Sequence, residues 1–171
     1  MESDGRLRSI NETDLRTVFD WRNSDRIRGV MLDNKPIHWE QHCKWFDKIK
    51  DSIDDVVLVF EFINRPVGLV QFNKLQSAHQ TAHWGFYLGE TDLPSGTGSL
   101  LGKLALQHYF DELGMRKLYA EVLQTNIISN HFHIKLGFTE EGRLRKHVSR
   151  DQNYEDLIIY GLFDDEWRDK L

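Results

Sequence analysis

A single domain built on a mixed α/β sheet is the fold class this sequence predicts, and three observations predict it. Hydrophobic residues keep helical spacing up to about residue 50, then turn to β-branched and aromatic strand patterns. The centre reads strand, glycine loop, helix, strand, helix, with hairpins on either side, which suits neither a helical bundle nor a sandwich. The 171 residues suit one domain that buries roughly 70% of its unfolded surface.

Each element has a local reason. Residues 6–10 form a short first strand. Asn11 can cap a helix start at residues 11–14, with Glu12 and Asp14 near its positive end. Leu15, Val18 and Phe19 follow at helical spacing, then Trp21-Arg22-Asn23. Ser24 or Asp25 caps a second short turn carrying Ile27 and Arg28. Pro36 punctuates a loop before a stronger helix, where Trp39, His42, Phe46 and Ile49 share a face. Residues 56–63 and 67–72 read as a hairpin turning at 64–66. Residues 74–80 are a polar loop. Residues 82–88 form a strand with Trp84, Phe86 and Leu88 on one face and His83, Gly85 and Tyr87 on the other. Residues 92–99 open a helix carrying Leu100, Leu101, Leu104, Ala105, Tyr109 and Phe110, which Gly114 ends. Lys117–Leu123 is a strand, and residues 126–136 are a helix stopped by Gly137. Residues 144–149 and 156–162 are strands around a turn at 150–153.

Composition removes several function classes. Lys+Arg 22 against Asp+Glu 27 gives a net charge of −5, without the electrostatic footprint of a nucleic-acid binder. The one cysteine, Cys43, excludes an internal disulfide, and no Cys/His cluster has zinc spacing. The start Met1-Glu2-Ser3-Asp4 is acidic and polar, unlike a signal peptide. Apolar runs such as residues 56–60 fall far short of the roughly 20 residues a membrane span needs. A soluble, cytoplasmic protein with no nucleic-acid and no membrane partner is expected.

Gly96-Thr97-Gly98 sits between a strand and a helix. Glycines let backbone approach a ligand closely, and free N–H groups at a helix N-terminus attract anions, so residues 95–99 can hold a pyrophosphate. Alternatively the glycines only make a tight turn. The phosphate-loop pattern is missing, and Leu101 stands where a dinucleotide fingerprint has its third glycine.

Leu93-Pro94-Ser95-Gly96-Thr97-Gly98 resembles the acyl-CoA loop of the GCN5-related N-acetyltransferases (GNAT), Arg/Gln-x-x-Gly-x-Gly/Ala. The stretch from Asn126 through Ser129, His133 and Lys135 to Gly137-Phe138 resembles that family's Asn-x-x-Ala/Ser-x-x-x-Tyr-x-Lys-x-Gly-Phe. The order of elements agrees over nearly the whole chain. The resemblance implies a single GNAT domain over residues 1–171. Its mostly antiparallel central sheet has flanking helices, and a V-shaped splay between strands 82–88 and Lys117–Leu123 holds acetyl-CoA. Phe86, Tyr87 and Leu88 would bind pantetheine and polarise the thioester, and Leu93, Ser95, Gly96, Thr97, Gly98 and Ser99 would cradle the pyrophosphate. Asn126 and Ser129 would meet the pantetheine arm, although Asn126 can equally be a helix cap. No metal is implied, since backbone dipoles can stabilise the oxyanion. Two positions depart from the pattern. Leu93 replaces Arg/Gln, which removes no backbone donor. His133 replaces the tyrosine often assigned as the acid for the leaving thiolate, and a histidine can also donate a proton.

Trp21-Arg22-Asn23, Ile27-Arg28, Met31 and residues 39–42 resemble one branch of the family, as do residues 141–145 and 154–156. That branch acetylates the 4-amino group of a UDP-linked dideoxy amino sugar in pseudaminic acid synthesis. On this reading Trp21, Arg22, Asn23, Arg28, Met31, His42 and His83 bind the sugar nucleotide. Arg22 and Arg28 would pair with phosphate and Met31 and His42 would border the uracil. Plainer roles exist for each: core packing for Trp21 and His42, a solvated helix face for the arginines. Glu121 lies among apolar residues of a central strand, where a carboxylate needs a partner or a purpose. It can accept the amine proton directly or through water, with His83 a second candidate base; a structural carboxylate and a surface histidine are the alternatives. Two other functions stay open, a protein N-terminal acetyltransferase and a non-catalytic acyl-CoA binding domain. A polyamine or aminoglycoside acceptor and a homodimer stay open too, since substrate choice lives in loops.

Overall fold

A computed structural model describes residues 4–169. Seven strands make up one sheet: β1 (Gly5–Ser9), β2 (Val56–Phe62), β3 (Arg65–Asn73), β4 (Thr81–Leu88), β5 (Lys117–Leu123), β6 (Thr139–Arg150) and β7 (Asn153–Phe163). The helices are α1 (Leu15–Asn23), α2 (Asp25–Arg28), α3 (Trp39–Ile49), α4 (Thr97–Gln107), α5 (Ile127–Leu136) and α6 (Asp164–Arg168). The strand order is β1-β2-β3-β4-β5-β7-β6. Every neighbouring pair is antiparallel except β4 and β5, which are parallel and joined by the α4 crossover.

The pleat of β2 shows how one sheet serves two cores. Leu58, Phe60 and Phe62 face α4 and the core built with Trp84, Leu101, Leu106 and Tyr109. Val57 and Val59 face Val18, Trp21, Ile27, Phe46 and Ile49 of the first three helices. The predicted faces of β4 hold, since Trp84, Phe86 and Leu88 all pack into the first core.

The structure moves several expected boundaries. Asn11 caps a single 3-10 turn, Glu12–Asp14, and α1 begins after it. The first hairpin turns on Ile63 and Asn64, both left-handed at φ 50° and 60°. Two-residue turns of that hand match the twist of paired strands. Arg65 and Pro66 therefore belong to β3, where Pro66 pairs with Glu61 beside a register shift at Phe60/Glu61 that leaves Val67 as the extra residue, an irregular place of the kind where strands admit proline. The last hairpin is far longer than residues 144–149 and 156–162. It turns on Asp151 and Gln152, at φ 46° and 65°. β6 is an exposed edge strand rich in charge, so it carries no apolar alternation to read. The short α6, which buries Trp167, gave no periodic signal either.

Candidate active site

The two parallel strands pair only at Thr81↔Lys117, Ala82↔Leu118 and His83↔Tyr119. Beyond that point β4 continues along β3 and β5 along β7, and the two part. The V-shaped splay is therefore present, and a cavity of about 450 Å³ runs through it. Trp84, Phe86, Ala120, Val122, Ser129 and His133 line it from the α5 side. Val18, Arg22, Met31, His42, Trp45 and Glu121 line it from the side of α1 and α3.

Polar atoms in this cavity lack partners. Among the described residues six buried side-chain nitrogens have no hydrogen bond, and those of Arg22, His83, Trp84 and His133 belong to cavity residues. The other two, Arg150 Nε and Trp167 Nε1, lie off the cavity, so lack of a partner alone does not mark the site.

The glycine loop stands at the far end of β4. Gly96 takes φ 93°, a left-handed conformation that suits glycine, and heads α4. A Cβ built on Gly98 would meet only Leu88 Cδ1, at 3.6 Å, so backbone there is open to close approach. Thr97 differs from expectation: it is buried and its hydroxyl donates to the Pro94 carbonyl at 2.7 Å, which fixes the loop rather than offering a ligand contact. Leu93 packs against the core. Lys135 Nζ donates to Ser99 Oγ at 3.1 Å and brings a positive charge to the loop from α5. Sequence reasoning assigned Lys135 no role, although it lies in the α5 motif. Asn126 caps α5 by accepting from the Ser129 N–H at 3.1 Å, and both residues line the cavity.

The proton-transfer candidates sit at the splay. Glu121 is half-buried on the cavity wall and makes no hydrogen bond or ion pair among the described residues, so the structural-carboxylate alternative finds no partner. His83 is no surface histidine. Burial pulls its pKa down, opposed by the charge of Glu121, and its Nε2 has no partner. His133 departs most from expectation. Burial pushes it down to about 4, so the ring is neutral near pH 7. Its Nδ1–H donates to the Ser129 carbonyl at 2.7 Å, and Nε2 is left as a bare lone pair. Nε2 therefore holds no proton for a leaving thiolate, which counts against the acid role.

The predicted substrate residues divide. Arg22, Met31, His42 and His83 line the cavity. Arg22 Nη2 donates to the Asp33 carbonyl, and Nη1 is the unpartnered atom. His42 is also a core residue, donating Nε2–H to the Leu15 carbonyl at 2.9 Å and stacking on Trp45. Trp21, Asn23 and Arg28 are not on the cavity. Trp21 is core: a Cβ on Gly89 would fall 2.1 Å from its ring, and its indole N–H donates to Glu90. Asn23 clasps both backbone groups of Ile37. Arg28 is tied to the Asn23 and Asn34 carbonyls and to Asp25, with three of its five donors engaged away from the cavity. The cavity adds Gln41, Gln71 and Asn73, which sequence reasoning missed. The readable signal was Gln71 and Asn73 at inward positions of an otherwise apolar strand.

No helix among the described residues is long and apolar enough to cross a membrane. Among those residues no group of three or more His, Cys, Asp or Glu is arranged to hold a metal ion. Residues 6–139 match the sequence pattern of the family described as "Acetyltransferase (GNAT) domain". The chain is 24% identical over 162 residues to spermidine N(1)-acetyltransferase of Escherichia coli, covering 95% of this chain and 87% of that one. It is 27% identical over 144 residues to the uncharacterized protein MJ1062 of Methanocaldococcus jannaschii, covering 80% of this chain but only 29% of that one. Its fold matches the crystal structure of spermidine N-acetyltransferase from Vibrio cholerae in complex with CoA and spermine. The TM-score is 0.90 at 21% identity, over 97% of this chain and 99% of that one. With the family's sequence pattern over most of its length and the splay at its centre, the chain belongs to the GNAT acetyltransferase family and is an acetyl-CoA-dependent acyltransferase.

Proposed function

We propose that the protein transfers an acetyl group from acetyl-CoA to a primary amine on a small acceptor held on the α1/α3 side of the splay. The observation that carries this is a carboxylate, Glu121, that stands on the cavity wall at the splay with no hydrogen bond or ion pair among the described residues. Gly96–Ser99 and Lys135 take the pyrophosphate, and Phe86, Asn126 and Ser129 border the pantetheine arm. The amine nitrogen attacks the thioester carbon, the C–N bond forms and the C–S bond breaks. The amine proton passes to Glu121. Coenzyme A leaves as a thiolate, which takes its proton from water because His133 has none on Nε2. An ordinary thiol pKa of about 8.5 makes that thiolate a workable leaving group.

Two acceptors each have a specific support. A polyamine is favoured by the spermidine acetyltransferases among the relatives. It also fits a wall of Val18, Val30, Met31, Leu32 and Ile37 for methylenes, with Glu121 for an ammonium. A UDP-linked 4-amino sugar is favoured by the Arg22 guanidinium on the cavity wall, a group suited to phosphate, and by Met31, His42 and Trp45 as a flat apolar border. Acetyl-CoA turnover with spermidine, UDP-4-amino sugars and N-terminal peptides as acceptors tests both. Turnover with spermidine alone selects the first, and turnover with the sugar nucleotide alone selects the second. Turnover with peptides alone, or with none of the three, refutes the small-acceptor reading.

A further inference from the structure

Residues 29–38 join α2 to α3 without regular structure and supply Val30, Met31, Leu32 and Ile37 to the acceptor wall. An irregular segment holds a shape only if its backbone groups find fixed partners. Here near neighbours provide some: Arg22 reaches the Asp33 carbonyl, Arg28 the Asn34 carbonyl, and Asn23 both groups of Ile37. The N–H groups of Gly29, Val30 and Met31 are also held by carbonyls of α2, and two further ties come from the opposite end of the chain.

Arg150 ends β6 and is 8% exposed. Its Nη2 donates to the Gly29 carbonyl at 2.8 Å, and its Nη1 donates to Glu155 Oε1 at 3.0 Å. The other Glu155 oxygen accepts from the Thr125 hydroxyl. Thr125 directly precedes Asn126, the α5 cap that lines the cavity from the side assigned to acetyl-CoA. Next to Arg150, the Asp151 carboxylate accepts from Asn34 Nδ2 at 3.0 and 3.1 Å. One buried guanidinium thus links the acceptor wall, through Glu155 and Thr125, to the turn that heads α5. A planar, five-donor group can span two acceptors in this way, whereas a lysine ammonium offers a single point of charge.

We infer that Arg150 is a positioning residue which holds the 29–38 acceptor wall against the α5 turn and thereby sets affinity for the acceptor amine. The inference rests on the proposed transfer to a small amine. It adds a specificity residue that touches neither substrate and acts through Gly29. Losing it removes the tie of the Gly29 carbonyl to β6 and leaves only the α2 bond of its N–H, so the acceptor binds a wall less firmly held, while the glycine loop and the splay keep their geometry.

The test compares wild type with Arg150→Lys and with Asn34→Ala, a milder change that removes only the Asp151 tie. Hydrogen–deuterium exchange is read over residues 29–37, acetyl-CoA affinity by calorimetry, and KM and kcat with the best acceptor of the panel. Arg150→Lys is expected to speed exchange in 29–37 while β3 and β5 stay protected. It should raise acceptor KM about tenfold with kcat and acetyl-CoA affinity within about twofold, as for loss of one charge-assisted hydrogen bond. Asn34→Ala should act in the same direction and less. Unchanged exchange, or faster exchange with an unchanged KM, overturns the inference. If Arg150→Lys fails to fold, Asn34→Ala decides by the same two readouts. If wild type acetylates no amine, the functional reading falls by itself, and unchanged exchange would still overturn the clamp.

Discussion

The edge of the sheet and its centre treat buried polar side chains in opposite ways. At the β1–β2 edge, Arg8 donates to both Asp14 oxygens at 2.7 and 2.8 Å and to Glu61 at 2.7 Å, while Arg6 also reaches Glu61. Asp14 and Glu61 are 5% exposed, and both are partnered. At the centre, Arg22, His83, Trp84 and His133 leave buried nitrogens without partners. The first arrangement is what a folded chain needs to keep charge out of water. The second costs stability. The two regions differ in how far their buried charge is paired, and only the second lines the cavity.

The contrast breaks most visibly at Arg8. Arg8→Ala strands the buried Asp14 carboxylate and leaves Glu61 with Arg6 alone, and should cost about 3 kcal/mol of stability, read by urea denaturation. It should leave acetyl-CoA affinity alone. The same network sets an acid limit. Arg8's hydrogen bonds hold the Glu61 carboxyl below its usual value; burial would raise Asp14, but Arg8 and the Asn11 N–H outweigh it. Groups depressed in the folded state contribute stability above their unfolded pKa and lose it as pH falls through the folded one. Thermal stability should therefore fall as pH drops below about 4–5, the unfolded carboxylate range. Arg8→Ala should flatten that limb.

At the centre the ranking reverses, with binding lost and stability kept. Gly98→Asp places a carboxylate where only Leu88 is near, so the fold should stand. Acetyl-CoA affinity measured by calorimetry should fall about 100-fold, or 2.7 kcal/mol. A variant that unfolds, or one that binds normally, would remove the loop from the site. Smaller again, Arg22→Ala should raise acceptor KM about tenfold. Arg28→Ala should change it by less than about twofold if misfolding is excluded, because Arg28 lies off the cavity and holds Asn23, Asn34 and Asp25. Equal effects from the two arginines would erase the distinction between residues on the cavity and residues off it.

How much of this was legible in the sequence follows the same line. Elements with apolar periodicity were readable: the two faces of β4, the α4 stripe, and α5 stopped by Gly137. So was the splay, because the glycine loop and the Asn126–Phe138 pattern stand on either side of β5. The charged β6 was not, since its strand state comes from pairing with β7 rather than from its own residues. Trp21, Asn23 and Arg28 lie off the cavity, which residue type alone does not show, because it does not say who the partner is. Trp21 meets Glu90, Asn23 meets Ile37, and Arg28 meets Asn34 only once the chain has folded. For His133 the sequence position was informative, but the proton was not. Burial decides that the ring is neutral, and the Ser129 carbonyl decides which nitrogen carries hydrogen.

The central claim is that the splay holds the reaction and that Glu121 takes the amine proton there. Its most direct test is kcat across pH for wild type and Glu121→Gln, with acetyl-CoA affinity measured alongside. The amide keeps the shape of the side chain but cannot accept the proton. We expect kcat to fall by about 10²–10⁴-fold. The acidic limb of the profile should disappear and acetyl-CoA affinity should be unchanged. A Glu121→Gln enzyme with near-full kcat and the wild-type acidic limb would contradict the account and move the base to His83 or an ordered water.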